Sequence, residues 1–123
     1  MNVRKRRVIP TFSGRTTFIC FGGVPDGADL LVGETQYALH FPASFFRKLI
    51  ADLAGSKLEI GNFKQNPAAP GTLNDYIQRT LRIAQTPGTY VAALLIEDGY
   101  AERIGNKLRI SSLPSCRSMP VMG

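Results

Sequence analysis

A mixed α+β fold is predicted for this chain by three observations. Runs rich in β-branched and aromatic residues that alternate in polarity are concentrated in residues 16–62, helical stripes dominate residues 72–97, and a Gly-Asn pair at 105–106 joins two short alternating segments. Period two marks strands and period 3.6 marks helices, because side chains alternate across a strand but return to one helix face every three or four residues. With 123 residues and 44% apolar side chains, the chain is sized for one compact unit with a real core. Two lobes are expected within it: an N-terminal strand-rich lobe with one helix, and a C-terminal helix-turn-helix plus β-hairpin.

Residues 1–15 read as a basic arm, with Arg4, Lys5, Arg6, Arg7 and Arg15 and no acid. From 16 to 62 a β-rich lobe with one helix follows. "TTFICF" at 16–21 reads as a strand, and "GGVPDG" supplies Pro25 and Asp26 for the centre of a tight turn. "DLLVG" and "QYALHF" supply two more strands, the second alternating Tyr37, Leu39 and Phe41 against Ala38 and His40. In "PASFFRKLIADLAG" the period changes: Phe45, Leu49 and Leu53 recur every four residues, Pro42 suits a first turn and Gly55 suits the stop. "KLEIG" at 57–61 resumes a strand through Leu58 and Ile60.

Residues 63–71 fall in a Pro- and Gly-bearing stretch of low apolar content and read as a linker. Thr72 followed by Asp75 then gives a capping-box-like helix start. Leu73, Tyr76, Ile77, Leu81 and Ala84 form its apolar stripe, which leaves Asn74, Gln78, Arg79, Arg82 and Gln85 outward. "TPGT" at 86–89 interrupts the chain. A second helix carries Tyr90, Val91, Leu94 and Leu95 on its buried stripe, with Ala92, Ala93 and Glu97 outward and Gly99 at its end. "YAERI" and "KLRIS" flank Gly105-Asn106, a pair suited to a two-residue hairpin turn. Alternation sets Leu108 and Ile110 on one face and Lys107 and Arg109 on the other, with Arg103 nearby. Residues 113–123 read as a flexible tail.

Several classes of function find no support. The longest apolar runs, such as "YVAALLI", fall far short of the ~20 residues a bilayer span requires, and the basic start runs into Pro, Thr, Ser and Gly rather than a hydrophobic segment, so a cytoplasmic protein with no membrane partner is expected. Cys20 and Cys116 are too few and too distant for a disulfide framework or a zinc site. The glycines of "GGVPDG" lack the Lys-Ser/Thr pair of a P-loop and the dinucleotide spacing, so no cofactor is expected. His40 is the only histidine, and no Ser or Cys lies in a nucleophile context, so the chain is not expected to be an enzyme. Glu97-Asp98, and Asp26 with Asp29, are accounted for by a helix end and a turn.

The order helix, tight turn, helix, basic hairpin over residues 72–112 resembles the winged-helix family, most specifically in "YVAALLIEDGYAERIGNKLRIS". The resemblance implies a second helix that enters the major groove and a wing that lies along the phosphate backbone. Carried over position by position, it assigns Thr86 and Thr89 to the front of that helix, Arg103, Lys107 and Arg109 to the wing, and Arg79 and Arg82 to its flank. With Arg4, Lys5, Arg6 and Arg7 of the arm, these form the expected nucleic-acid-binding set. The family pattern is not fully kept: Ala92, Ala93 and Glu97 offer no Arg, Lys, Asn or Gln to base edges, so phosphate contacts should dominate.

The net charge of +6 fits such a partner, since cations that neutralise phosphates release counterions. The expectation is therefore a small non-catalytic protein that docks on duplex DNA, with a homodimer as one way to meet two half-sites. A protein-interaction adaptor that uses the winged-helix-like lobe as a packing surface is the alternative, favoured by an apolar, Ala-rich helix surface on which Ala92 and Ala93 are expected to be exposed.

Overall fold

A computed structural model describes residues 6–62 and 65–113 of the chain. In order they form β1 (Arg6–Pro10), β2 (Thr17–Gly23), β3 (Gly27–Val32), β4 (Tyr37–Pro42), α1 (Ala43–Leu53), β5 (Lys57–Glu59), α2 (Leu73–Leu81), α3 (Gly88–Glu97), β6 (Ala101–Ile104) and β7 (Lys107–Ile110). The first four strands make an antiparallel meander in the order β1-β2-β3-β4, and the rest a three-stranded sheet in the order β5-β7-β6. The α+β class is thus as expected. No helix among the described residues is long and apolar enough to cross a membrane.

Two strand pairings differ from the sequence-based expectation. Residues 6–10 are no arm: they pair with β2 from Arg6↔Phe21 to Pro10↔Thr17 and bury Ile9, because "RVIP" continues the alternation that a sheet edge can use. Arg4 and Lys5 lie outside the described residues, as do 63–64 of the expected linker and 114–123 of the expected tail. The other difference concerns the two lobes. Strand β5, counted with the first, pairs with β7 of the hairpin from Lys57↔Arg109 to Glu59↔Lys107, so the hairpin becomes a sheet only by recruiting it. Two strands alone are marginal in water, and a third strand with an apolar face gives the hairpin a stable base.

One core joins these layers. Phe18, Cys20 and Leu30 from the meander meet Phe45, Phe46 and Leu49 of α1, with Leu94, Leu95, Leu108 and Ile110 in the same cluster. Of the stripe foreseen for α1, Phe45 and Leu49 are buried and Leu53 is half-buried against the core. Helix α3 lies at the centre, in contact with β1, α2 and β6. Fully burying each of its leucines contributes about 2 kcal/mol.

The helix ends follow from local chemistry. Thr72 Oγ1 accepts from Asp75 N at 3.2 Å, which is the N-cap half of the expected box, while Asp75 Oδ2 accepts from Gly71 N, one residue before the cap, at 3.2 Å. In the hairpin only Gly105 has positive φ (+62°), which matches the turn that places glycine at the first central position.

Asn74 and Gln78, expected outward, are 2% and 9% exposed. Asn74 Oδ1 accepts from Gly88 N at 2.7 Å, which satisfies an N–H at the start of α3. Gln78 Oε1 accepts from Ala68 N at 2.9 Å, and its amide nitrogen donates to the carbonyls of Ala84 at 3.0 Å and of Gln65 and Gln85 at 3.3 Å. Both side chains turn inward because the loops around α2 bring backbone groups that need partners.

Candidate nucleic-acid interface

The residues expected to meet a polyanion are distributed over several parts of the surface. Strand register settles the wing. Because Glu102 is paired with Arg109 and Ile104 with Lys107, and β5 places Lys57 and Glu59 beside Arg109 and Lys107, these side chains share the outer face of the sheet. Arg103 is paired with Leu108 and so belongs to the opposite face. Its guanidinium lies 4.3 Å from the centre of the Phe12 ring, its Nη1 donates to the Phe12 carbonyl, and its Nε donates to the Gly105 carbonyl at 2.9 Å. The cation–π contact ties the wing to the loop after β1. The expected ridge of Arg103, Lys107 and Arg109 is therefore divided between two faces.

Acids offset much of the remaining positive charge. Arg109 Nη1 is 3.5 Å from Glu102 Oε1, and Arg79 reaches Asp75 one helical turn back, with Nη2 at 3.2 Å from Oδ2. Arg82 is exposed at the C-cap of α2 with φ +58°, outside the helix that was expected to carry it. Arg6 is exposed on the edge strand.

Arg7 is committed to the fold. Its Nη1 donates to Asp98 Oδ1 at 2.7 Å, while Nη2 donates to Asp98 Oδ2 at 3.2 Å and to the Gly22 carbonyl at 2.8 Å. Asp98 Oδ2 also accepts from Val24 N at 2.9 Å. This clamp fastens β1 and the end of β2 to the C-terminus of α3, and the hydrogen bond from Arg7 to Asp98 pushes the arginine's pKa above its already high ordinary value. A Cβ on Gly23 would come within 2.6 Å of Asp98 Oδ2 and 2.7 Å of Arg7 Nη2, so glycine leaves room for the clamp.

The helix expected to enter the groove is enclosed. Ala92 and Ala93, placed outward by the sequence pattern, are 0% and 6% exposed. The meander covers that side: Phe18 of β2 meets Tyr90 edge-on, with ring centroids 5.3 Å apart. Burial pushes the Tyr90 phenol's pKa up. Thr86 is buried and Thr89 half-buried, so neither stands at an open helix front. An "AALLI" run has no polar side with which to meet solvent, and the fold supplies cover on every side.

Other chemistry-bearing groups are likewise engaged. His40 Nδ1 is 2.6 Å from Asp29 Oδ1 on the neighbouring strand. Cys20 is buried, and Cys116 lies outside the described residues. Among the described residues no three His, Cys, Asp or Glu gather into a metal-binding set. The Arg7–Asp98 clamp and the contact of Arg103 with Phe12 were missed from sequence, since each joins positions 91 residues apart. Comparison with known proteins finds no matching family model, no similar curated protein and no similar solved structure.

Proposed function

We propose that the chain is a small non-catalytic protein-interaction module, in which the winged-helix-like segment 72–112 serves as a packing unit rather than as a reader of bases. The enclosure of α3 carries this reading: the helix that would enter a groove is spent on the protein's own meander, with Ala92 and Ala93 inside the core. The helix, turn, helix, hairpin order fits a winged helix, and the recruited strand β5 gives the hairpin a rigid base. What such a module offers a partner is the face of the meander turned away from the core, where Leu31 lies half-buried.

Docking on duplex DNA through phosphate contacts is the second reading, and one observation favours it. Lys57 and Arg109 are direct cross-strand neighbours, with Lys107 on the same face. Like charges directly opposite one another are unfavourable, and a bound anion relieves them.

Fluorescence anisotropy with a labelled duplex over a range of salt separates the two. The interaction reading expects no saturable binding even in dilute salt. Binding that weakens steeply with salt and is lost in a Lys57, Lys107, Arg109 triple alanine variant overturns it in favour of DNA. A photo-crosslinking residue at Leu31 should capture a protein partner, whereas the same residue at Lys57 should not.

A further inference from the structure

Both faces of the meander carry apolar side chains. One is the core face already described. On the other, the pairs Val8↔Ile19, Ile19↔Leu31 and Leu31↔Ala38 set four apolar side chains in a single row across all four strands. Val8 is 56% exposed, Ala38 is exposed, and Ile19 and Leu31 are half-buried without belonging to the hydrophobics packed against the core. An antiparallel sheet with one wet face normally alternates apolar inward and polar outward. A contiguous outward apolar row departs from that pattern and leaves apolar surface that a partner can cover. The neighbouring row reads Arg6, Phe21, Asp29, His40 across the same strands.

We infer that this face binds a second copy of the chain, the two meanders stacking across a twofold axis parallel to the strands. The inference rests on the reading of the chain as an interaction module and names its partner. Such an axis keeps each row level with itself while reversing the order of strands. Val8 then faces the partner subunit's Ala38, and Ile19 faces the partner subunit's Leu31, so a larger side chain meets a small one at each edge of the row. In the neighbouring row, Arg6 faces the partner subunit's His40, whose ring is bonded to Asp29 one strand inward, so that carboxylate lies beside the guanidinium, and the symmetry makes the contact twice. An axis across the strands instead stacks β1 on β1 and sets Arg6 against the far end of the strand, where no carboxylate waits. Charge complementarity thus selects one of the two arrangements.

The size of the face sets the strength. Four strands at about 4.8 Å spacing and five residues at about 3.4 Å give a footprint of roughly 320 Å² per copy. This is well under the ~800 Å² per partner of a standard interface, so the dimer is weak and transient, with dissociation on the order of micromolar to millimolar.

Sedimentation equilibrium across this range tests the proposal. A reversible monomer–dimer equilibrium is expected. Arg6→Glu, on an exposed side chain that leaves the fold intact, should raise the dissociation constant about tenfold, and adding Asp29→Arg should restore it. Ile19→Asp should abolish the dimer while leaving the far-ultraviolet circular dichroism unchanged. A chain that stays monomeric at the highest concentration, or a dimer unmoved by both Arg6→Glu and Ile19→Asp, overturns the inference. A monomer whose Leu31 crosslinker captures a different protein also overturns it, yet leaves the interaction-module reading standing; duplex binding defeats that reading instead.

Discussion

Arg7 and Arg109 both meet a carboxylate, but in different surroundings. At the clamp, the side chains of Arg7 and Asp98 are 29% and 13% exposed, the guanidinium meets both carboxylate oxygens, and backbone groups of Gly22 and Val24 complete the set. On the wing, Arg109 and Glu102 are 52% and 57% exposed and meet through one contact at 3.5 Å. Removal of water strengthens a charge pair only when the remaining hydrogen-bonding positions are also filled. The clamp meets that condition and ties three segments together; the wing pair tunes a surface. The same residue types therefore hold the fold at one site and trim charge at the other.

Breaking the clamp tests the stronger half of that contrast. Asp98→Ala leaves Arg7 with only the Gly22 carbonyl and the Val24 N–H without its acceptor, and is expected to lower unfolding free energy by about 3 kcal/mol in urea titration. Gly23→Ala should act in the same direction by crowding the same two side chains. A loss no greater than that of an exposed pair would show that the clamp is only another surface contact.

A buried amide provides an uncharged counterpart. Gln78→Leu keeps the volume but strands the Ala68 N–H and removes a donor from three carbonyls. A cost of about 2 kcal/mol is expected from the same titration. Faster amide exchange around residues 65–69 and 84–85 should accompany it, since Gln78 holds those two loops to α2.

Much of the fold was legible because its signals are local. The β4 alternation, the four-residue stripe of α1, the Thr72 cap and the Gly105-Asn106 reversal each reside in a few neighbouring residues, and each has the role that spacing implied. What failed to show was long-range. Nothing local tells Lys57 that it will face Arg109, or Arg7 that Asp98 awaits at the end of a helix. Polarity misled at Asn74 and Gln78, since a pattern rule sends amides outward whereas these two serve buried backbone groups. At the candidate site the basic residues were visible, but their faces and acidic partners depended on a strand, β5, that had been counted with another lobe.

Tyr76 carries an intermediate effect with a defined pH signature. Its hydroxyl donates to Asp52 Oδ2 at 2.8 Å, and Lys48 Nζ lies 2.8 Å from the same oxygen. Burial, reinforced by the bond to Asp52, pushes the phenol up to about 12. Lys48 and then Tyr76 pull the Asp52 carboxyl below its ordinary value. For the phenol, the folded state holds its proton more tightly than the unfolded chain. Its contribution is therefore complete below about pH 10 and is lost as pH climbs from there toward about 12. Tyr76→Phe should cost about 1 kcal/mol at neutral pH and flatten that alkaline decline. For Asp52 the sign reverses: the lowered pKa contributes stability above the ordinary carboxyl value and loses it as pH falls below.

The smallest effect is expected on the wing, where it discriminates most. Glu102→Ala removes an exposed partner of Arg109 and should change stability by less than about 0.5 kcal/mol, within the range of surface ion pairs. Its effect on charge is larger in proportion, because the outer face then carries Lys57, Lys107 and Arg109 against Glu59 alone. If this face meets phosphate, Glu102→Ala should tighten duplex binding and steepen its salt dependence by about one phosphate's worth of counterion release. If it does not, the variant should behave as the parent in both assays. A small stability change with a large binding change assigns the face to an anionic partner, and the absence of both leaves the meander as the surface through which the chain meets others.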